Sequence, residues 1–183
     1  MPAAFRIIDT GVREGRANIA FDAALIEDRQ AGRVPDTIRF LSFPPTALIG
    51  RPQDLSREID LDYCARHDIG LVRRITGGGA IYLDEGQLGW ELVFHRASLG
   101  IAALPDLARE ICNAAAAGLQ ALGVDAKFRP RNDIEVGGRK ISGTGGVYDG
   151  DVLIYQGTVL VDLNPQRMVS ALRVPQGKLA KRE

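Results

Sequence analysis

Three consecutive glycines, Gly77-Gly78-Gly79, stand between two β-type runs, and no other feature of this chain constrains its fold as tightly. Leu71-Val72-Arg73-Arg74-Ile75-Thr76 leads into them, and Ala80-Ile81-Tyr82-Leu83-Asp84 leads away. Glycine loses more conformational freedom on folding than any other residue, so a triplet weakens the element that carries it. In return it gives backbone angles closed to other residues, close approach to a ligand, and amide N–H groups free to point at an anion. The two arginines add guanidiniums suited to phosphate or carboxylate. The same residues also fit a plain glycine-rich hairpin with solvated arginines.

The rest of the chain reads as strands and helices around this stretch. Phe5 to Asp9 predicts a short strand, and Arg16 to Gln30 a helix with an apolar stripe of Ile19, Ala20, Ala23, Ala24 and Ile26. Thr37 to Phe43 alternates as a half-buried strand. Pro44-Pro45 stops it before Thr46 to Gly50 resumes, which predicts a hairpin or bent strand. Asp60 to His67 predicts a short helix ended by Gly70. Asp84-Glu85-Gly86 is a turn before a strand over Leu88 to Phe94. Pro105 to Leu122 is the clearest helix, with proline in its first turn and Gly123 after its end. Short strands follow at Val124 to Phe128, at 133–136 and at 139–142, the last two flanking a Gly137-Gly138 hairpin turn. Gly143-Thr144-Gly145-Gly146 reads as a second glycine-rich break, Val152 to Val161 as a long strand, and Pro165 to Leu172 as a final helix. Strands outnumber helices and hairpin-length turns recur. The expected class is therefore α+β, with a mixed, largely antiparallel sheet flanked by helices.

The 183 residues suffice for one domain with a real core, and neither a repeat nor a linker divides them. Formal net charge is zero, so nothing points to non-specific nucleic-acid binding. No apolar run is long enough to span a bilayer, and the first residues lack a secretory-signal pattern, so the expected location is cytoplasmic. Cys64 and Cys112 form no CxxC pair, and His67 and His95 lie far apart in sequence, so neither pattern suggests a metal site. Each cysteine falls in a helical stretch and reads as a small buried apolar residue.

Three stretches stand apart from core patterning: the arginine–glycine loop, Arg131-Asn132-Asp133, and Arg139-Lys140-Ile141-Ser142-Gly143 with its glycine-rich exit. Lys140 is the residue that best fits chemistry, since an ammonium beside a glycine-lined cavity can bridge two anions and stabilise negative charge during attack on phosphate. It also fits a solvent-facing strand lysine. Asp133, with Asn132 beside it, can help hold magnesium, which takes one or two carboxylates plus phosphate oxygens; both also fit a strand-entry turn. Neither G-x-x-x-x-G-K-[ST] nor a G-x-G-x-x-G opening a helix is present.

Taken together, the stretches resemble the lipoate-protein ligase A family. The resemblance is carried by Ala17 to Leu25, Ile49-Gly50-Arg51-Pro52-Gln53, Arg73-Arg74-Ile75-Thr76-Gly77-Gly78-Gly79-Ala80, Arg131-Asn132-Asp133-Ile134 and Arg139-Lys140-Ile141-Ser142-Gly143, and covers most of the chain. It implies the fold shared with biotin protein ligases and class II aminoacyl-tRNA synthetases. It implies activation of lipoate (or octanoate) with ATP and magnesium to an acyl-adenylate, then transfer to a lysine of a lipoyl carrier domain. By position, Arg73 and Arg74 would hold phosphate or carboxylate, and Gly77, Gly78 and Gly79 would let the adenylate lie against backbone. Ala80, Ile81 and Tyr82 would present main-chain groups to the nucleotide. Lys140, with Gly143 beside it, would contact the acyl carbonyl and the phosphate, and Asn132 and Asp133 would sit near the metal.

Leu83-Asp84 and Gln156-Gly157-Thr158 depart from the family, which often carries histidine at the first position of each. The chain also stops after Gln176-Gly177-Lys178-Leu179-Ala180-Lys181, where family members usually continue. Residues 1–183 are thus expected to be a single ligase-like catalytic domain without the family's C-terminal part, which a separate accessory chain could supply. The alternatives are an ATP-independent octanoyl or lipoyl transferase working through a cysteine, a biotin ligase, and a non-catalytic lipoyl-binding module.

Overall fold

The computed structural model describes residues 4–173. Met1-Pro2-Ala3 and the Gln176–Lys181 stretch lie outside them. The chain opens with strand β1 (Arg6–Val12), helix α1 (Gly15–Gln30), and strands β2 (Thr37–Ser42) and β3 (Thr46–Ile49). Helices α2 (Leu55–Glu58) and α3 (Leu61–Arg66) lead to β4 (Gly70–Arg73), β5 (Ile81–Leu83) and β6 (Gln87–His95). Helix α4 (Leu104–Ala121) precedes β7 (Lys127–Arg129), β8 (Asp133–Val136), β9 (Arg139–Asp149) and β10 (Val152–Leu160), and α5 (Pro165–Ala171) closes the described chain.

Seven strands form one sheet in the order β1-β2-β6-β10-β9-β8-β7, and β4-β3-β5 form a second. Only β1–β2 and β3–β4 are parallel, so the architecture is the mixed, largely antiparallel α+β arrangement expected. Alternation along strands sends successive side chains to opposite faces. On one face of the large sheet, Trp90, Phe94, Leu153 and Tyr155 pack against Leu107 and Ile111 of α4. On the other, Val93 and Ile154 pack against Leu25 and Ile26 of α1. Ala47, Ile49, Cys64 and Tyr82 form a further core between the small sheet and α3.

Several local expectations are corrected. The buried face of α1 is Asn18, Asp22, Leu25 and Ile26, while Ala20, Ala23 and Ala24 face out. Periodicity assigns the inward face to apolar residues, but here the sheet beneath is itself polar. Strands β2 and β3 do not pair; they enter different sheets. Asp68, with φ of 51°, makes the left-handed turn after α3, and Gly70 already begins β4. Residues 143–146 do not break the chain; they lie inside the eleven-residue strand β9. The turn at Gly137-Gly138 is as expected, with φ of 56° and 77° that only glycine adopts readily in a two-residue hairpin. The strand expected from Val124 is confined to 127–129.

Candidate active site

The glycine loop joins β4 to β5, which lie on opposite sides of β3. It is therefore a crossover and not a hairpin. The loop packs on the Gly50 turn: Arg51 N–H donates to Thr76 O at 2.9 Å and Arg74 N–H to Ile49 O at 3.0 Å. A Cβ on Gly50 would lie 2.2 Å from Gly78 O, so only glycine admits the loop there. Arg73 Nη1 donates to the carbonyls of Gly50, Arg51 and Gln53 at 3.2, 3.0 and 2.7 Å. Arg74 folds over its own loop, donating to Gly77 O and Gly79 O, each at 2.7 Å from Nη2. Its Nη1 is buried without a partner, and burial pulls its pKa below the usual arginine value. The two arginines thus build the loop first, and Arg74 Nη1 is left as a buried donor without a partner. Ile81 and Tyr82 lie on β5, an edge strand of the small sheet. The Tyr82 ring is buried in that core and its carbonyl accepts from Gln87 Nε2 at 3.1 Å.

Strand register places Lys140 beside Asp133 and Gly143. Asp133 lies opposite Gly143 across β8 and β9, and the lysine ammonium reaches back over Gly143 to Asp133 Oδ1 at 2.6 Å. Two residues along β9 on the same face, about 6–7 Å away by strand rise, Gly145 has no atom within 4 Å of a would-be Cβ. Gly145 lies opposite Gln156, whose Oε1 accepts a long hydrogen bond (3.4 Å) from Thr76 at the entry to the glycine loop. Lys140 and the loop therefore border one open glycine shelf on the α1 face. A separate cavity of about 490 Å³ is lined by Ala23, Ile26 and Ile75, by Arg51, Arg73 and Arg74, and by the carboxylates of Glu27 and Asp149.

Beneath the shelf runs a polar row that sequence reasoning missed. Arg39, Glu91, Gln156 and Gly145 are successive cross-strand neighbours, and α1 lays Asn18 and Asp22 over them. Arg39 is fully buried; it donates to Asp22 Oδ1 at 2.7 Å, Glu91 Oε1 at 3.0 Å, Asn18 Oδ1 at 2.5 Å and Thr10 Oγ1 at 3.0 Å. Gln156 Nε2 donates to Asp22 Oδ2 and Glu91 Oε2 at 3.0 and 2.9 Å. Two carboxylates thus share one guanidinium. Burial, then the Glu91 charge, push the Asp22 pKa up to about 8, with Arg39 opposing. The available signal was Arg39 at an alternating position that the strand pattern turns inward with Thr37 and Leu41.

Asn132 and Thr144 clamp β9 to the start of β8. Thr144 N–H and Oγ1 both donate to Asn132 O, at 3.0 and 2.9 Å, and Asn132 Nδ2 donates to Thr144 O. Both Asp133 oxygens are ion-paired, to Lys140 and to Arg129. Among the described residues no group of three His, Cys, Asp or Glu side chains could hold a metal. One carboxylate already neutralised by two cations does not fit a resident magnesium ion. Both cysteines are sealed. Cys64 is in the small-sheet core, where burial raises its thiol pKa. Cys112 lies on the α4 face beside Thr144 and Tyr155, across the sheet from the shelf.

The family described as the lipoyl protein ligase A/B catalytic domain matches residues 14–183. The chain belongs to this family. The octanoyltransferase LipM of Moorella thermoacetica is 30% identical over all of this chain and 74% of its own length. A crystal structure of lipoate-protein ligase A bound with ATP superposes with a TM-score of 0.82 at 27% identity, covering 98% of this chain and 74% of that one. A bi-partite lipoate protein ligase from Thermoplasma acidophilum, studied with its E2 lipoyl domain, superposes at 0.77 with 26% identity, covering 99% and 71%. Among the described residues no helix is long and apolar enough to cross a membrane.

Proposed function

We propose that the chain is an acyl-adenylate-forming ligase, joining lipoate or octanoate to a lysine of a lipoyl carrier domain at the expense of ATP. The observation that carries this reading is the open shelf at Gly145, with Lys140 at one end, the glycine loop at the other, and no thiol on that face. The substrate carboxylate attacks the α-phosphate, the bond to pyrophosphate breaks, and an acyl-AMP forms. This brings anion against anion. The Lys140 ammonium and Arg74 Nη1 screen the repulsion and the charge growing on phosphate. Loop amides and the edge of β5 accommodate the nucleotide. The cavity beside α1 offers Ala23, Ile26 and Ile75 to an aliphatic tail, and its three arginines outnumber the carboxylates of Glu27 and Asp149. In the second step the carrier lysine attacks the acyl carbonyl and AMP leaves. No step is derived through magnesium. The carrier is proposed as a lipoyl domain, and an accessory chain as a possible second partner, by analogy with the bi-partite relative.

The second reading is ATP-independent octanoyl transfer, favoured by the octanoyltransferase name of the Moorella relative. That chemistry, run through a thiol, needs an accessible thiolate. The buried positions of Cys64 and Cys112 weigh against it. The two readings separate when the purified chain is given octanoyl-carrier without ATP, or free octanoate with ATP. The ligase reading expects product only with ATP, and Cys112→Ala to retain that activity. ATP-independent transfer abolished by Cys112→Ala would establish the transferase instead.

A further inference from the structure

Four charged side chains on β7, β8 and β9 are joined by ion pairs, and Lys127, opposite Glu135 on β7, is paired instead with Asp125. Arg129 is opposite Asp133, and Glu135 is opposite Lys140. Arg129 Nη2 meets Asp133 Oδ2 at 2.9 Å, and its Nη1 meets Glu135 Oε2 at 3.4 Å. Lys140 Nζ holds the remaining Asp133 oxygen at 2.6 Å. Two positive and two negative charges cancel. The motif reading singles out Lys140 and Asp133 but neither Arg129 nor Glu135. Arg129 and Lys140 side chains are each 41% exposed, and pairs this exposed contribute little to folding.

Their effect falls instead on Lys140. An ammonium has three donors, and the Asp133 carboxylate is ion-paired to it on one side. Without Arg129, Lys140 would be the one cation in contact with Asp133, and Glu135 would face Lys140 on β9 and Lys127 on β7, the latter paired with Asp125. A lysine so held is poorly placed to meet a substrate anion. We infer that Arg129 is a positioning residue: by holding the outer oxygens of Asp133 and Glu135, it leaves Lys140 over Gly143 with its other donors available to the shelf. This role rests on reading Lys140 as the group that meets the reacting phosphate and acyl oxygens.

The test uses the full chain with Arg129→Gln, Arg129→Lys, Glu135→Gln and the Arg129→Gln/Glu135→Gln double variant. Two readouts are taken: ATP–pyrophosphate exchange with octanoate, and the rate at which an amine-reactive ester labels Lys140 at fixed pH, followed by peptide mass spectrometry. Arg129→Gln is expected to lower kcat/KM about tenfold and slow labelling severalfold, the scale of one unbalanced charge at a half-exposed site. Arg129→Lys retains the charge and stays within about threefold of the native chain. The double variant restores the balance and recovers both readouts. A merely structural Arg129 would leave the double variant as impaired as the single one, or worse, and that result overturns the inference. So does Arg129→Gln with both readouts unchanged. If the native chain shows no exchange while labelling follows the expected pattern, the ligase reading fails and the role of Arg129 stands. If exchange is present but ignores the charge balance, the ligase reading stands and the role of Arg129 fails.

Discussion

Replacing Asp22 by asparagine should flatten the pH dependence of stability. Asp22 is 1% exposed, and its pKa lies near 8 in the folded chain against 3.8 for an ordinary aspartate. Between those values the folded state binds more protons than the unfolded state, so stability falls as pH rises. The contribution is complete below about pH 4 and is lost as pH passes through about 8. At about 1.4 kcal/mol per pKa unit the full span gives a ceiling of about 6 kcal/mol, and half the shift still gives about 3. Asparagine has the shape of the protonated acid: its oxygen can accept from Arg39 and its amide can donate to Glu91, at the loss of the hydrogen bond that Asp22 Oδ2 accepts from Gln156 Nε2. Urea midpoints measured at pH 5, 7 and 9 should therefore fall steadily for the native chain. They should fall much less for Asp22→Asn, which overtakes the native chain by pH 9. Curves that run parallel, with the variant lower throughout, would refute the raised Asp22 pKa.

Arg39→Met should destabilise by about 3–5 kcal/mol at pH 7, since it removes the guanidinium that the two buried acids Asp22 and Glu91 share; urea unfolding checks this. Gly50→Ala should cost about 1–3 kcal/mol of stability, because the new methyl meets Gly78 O, and should lower exchange activity more than it lowers Tm. Lys140→Ala should leave Tm nearly unchanged, its side chain being 41% exposed, while abolishing exchange.

Much of this was legible from residue types alone. A glycine triplet beside two arginines has few uses, and α4 follows from Pro105 in its first turn, the helix-favouring Ala114 to Ala117 and Gly123 after its end. The hairpin at Gly137-Gly138 follows from the same kind of reading. The polar row did not emerge, for a physical reason. Periodicity takes polar residues to be outward-facing, yet Asn18, Asp22, Arg39 and Glu91 point inward because they satisfy one another. That mutual satisfaction is long-range, from α1 to β6, and its one local trace is Arg39 on the inward face of β2. Gly143 to Gly146 read as a break because glycine runs usually punctuate chains. Here Gly145 lies within a paired strand and opens the shelf, so its absent side chain matters more than its flexibility.

The central claim is that the loop and Lys140 form an acyl-adenylate on the shelf. Pyrophosphate exchange into ATP tests it most directly, using the purified chain with lipoate or octanoate, with and without a candidate accessory chain. The account predicts exchange that requires the acid and disappears in Lys140→Ala. Exchange absent under every one of these conditions, with octanoyl transfer proceeding without ATP, would contradict it.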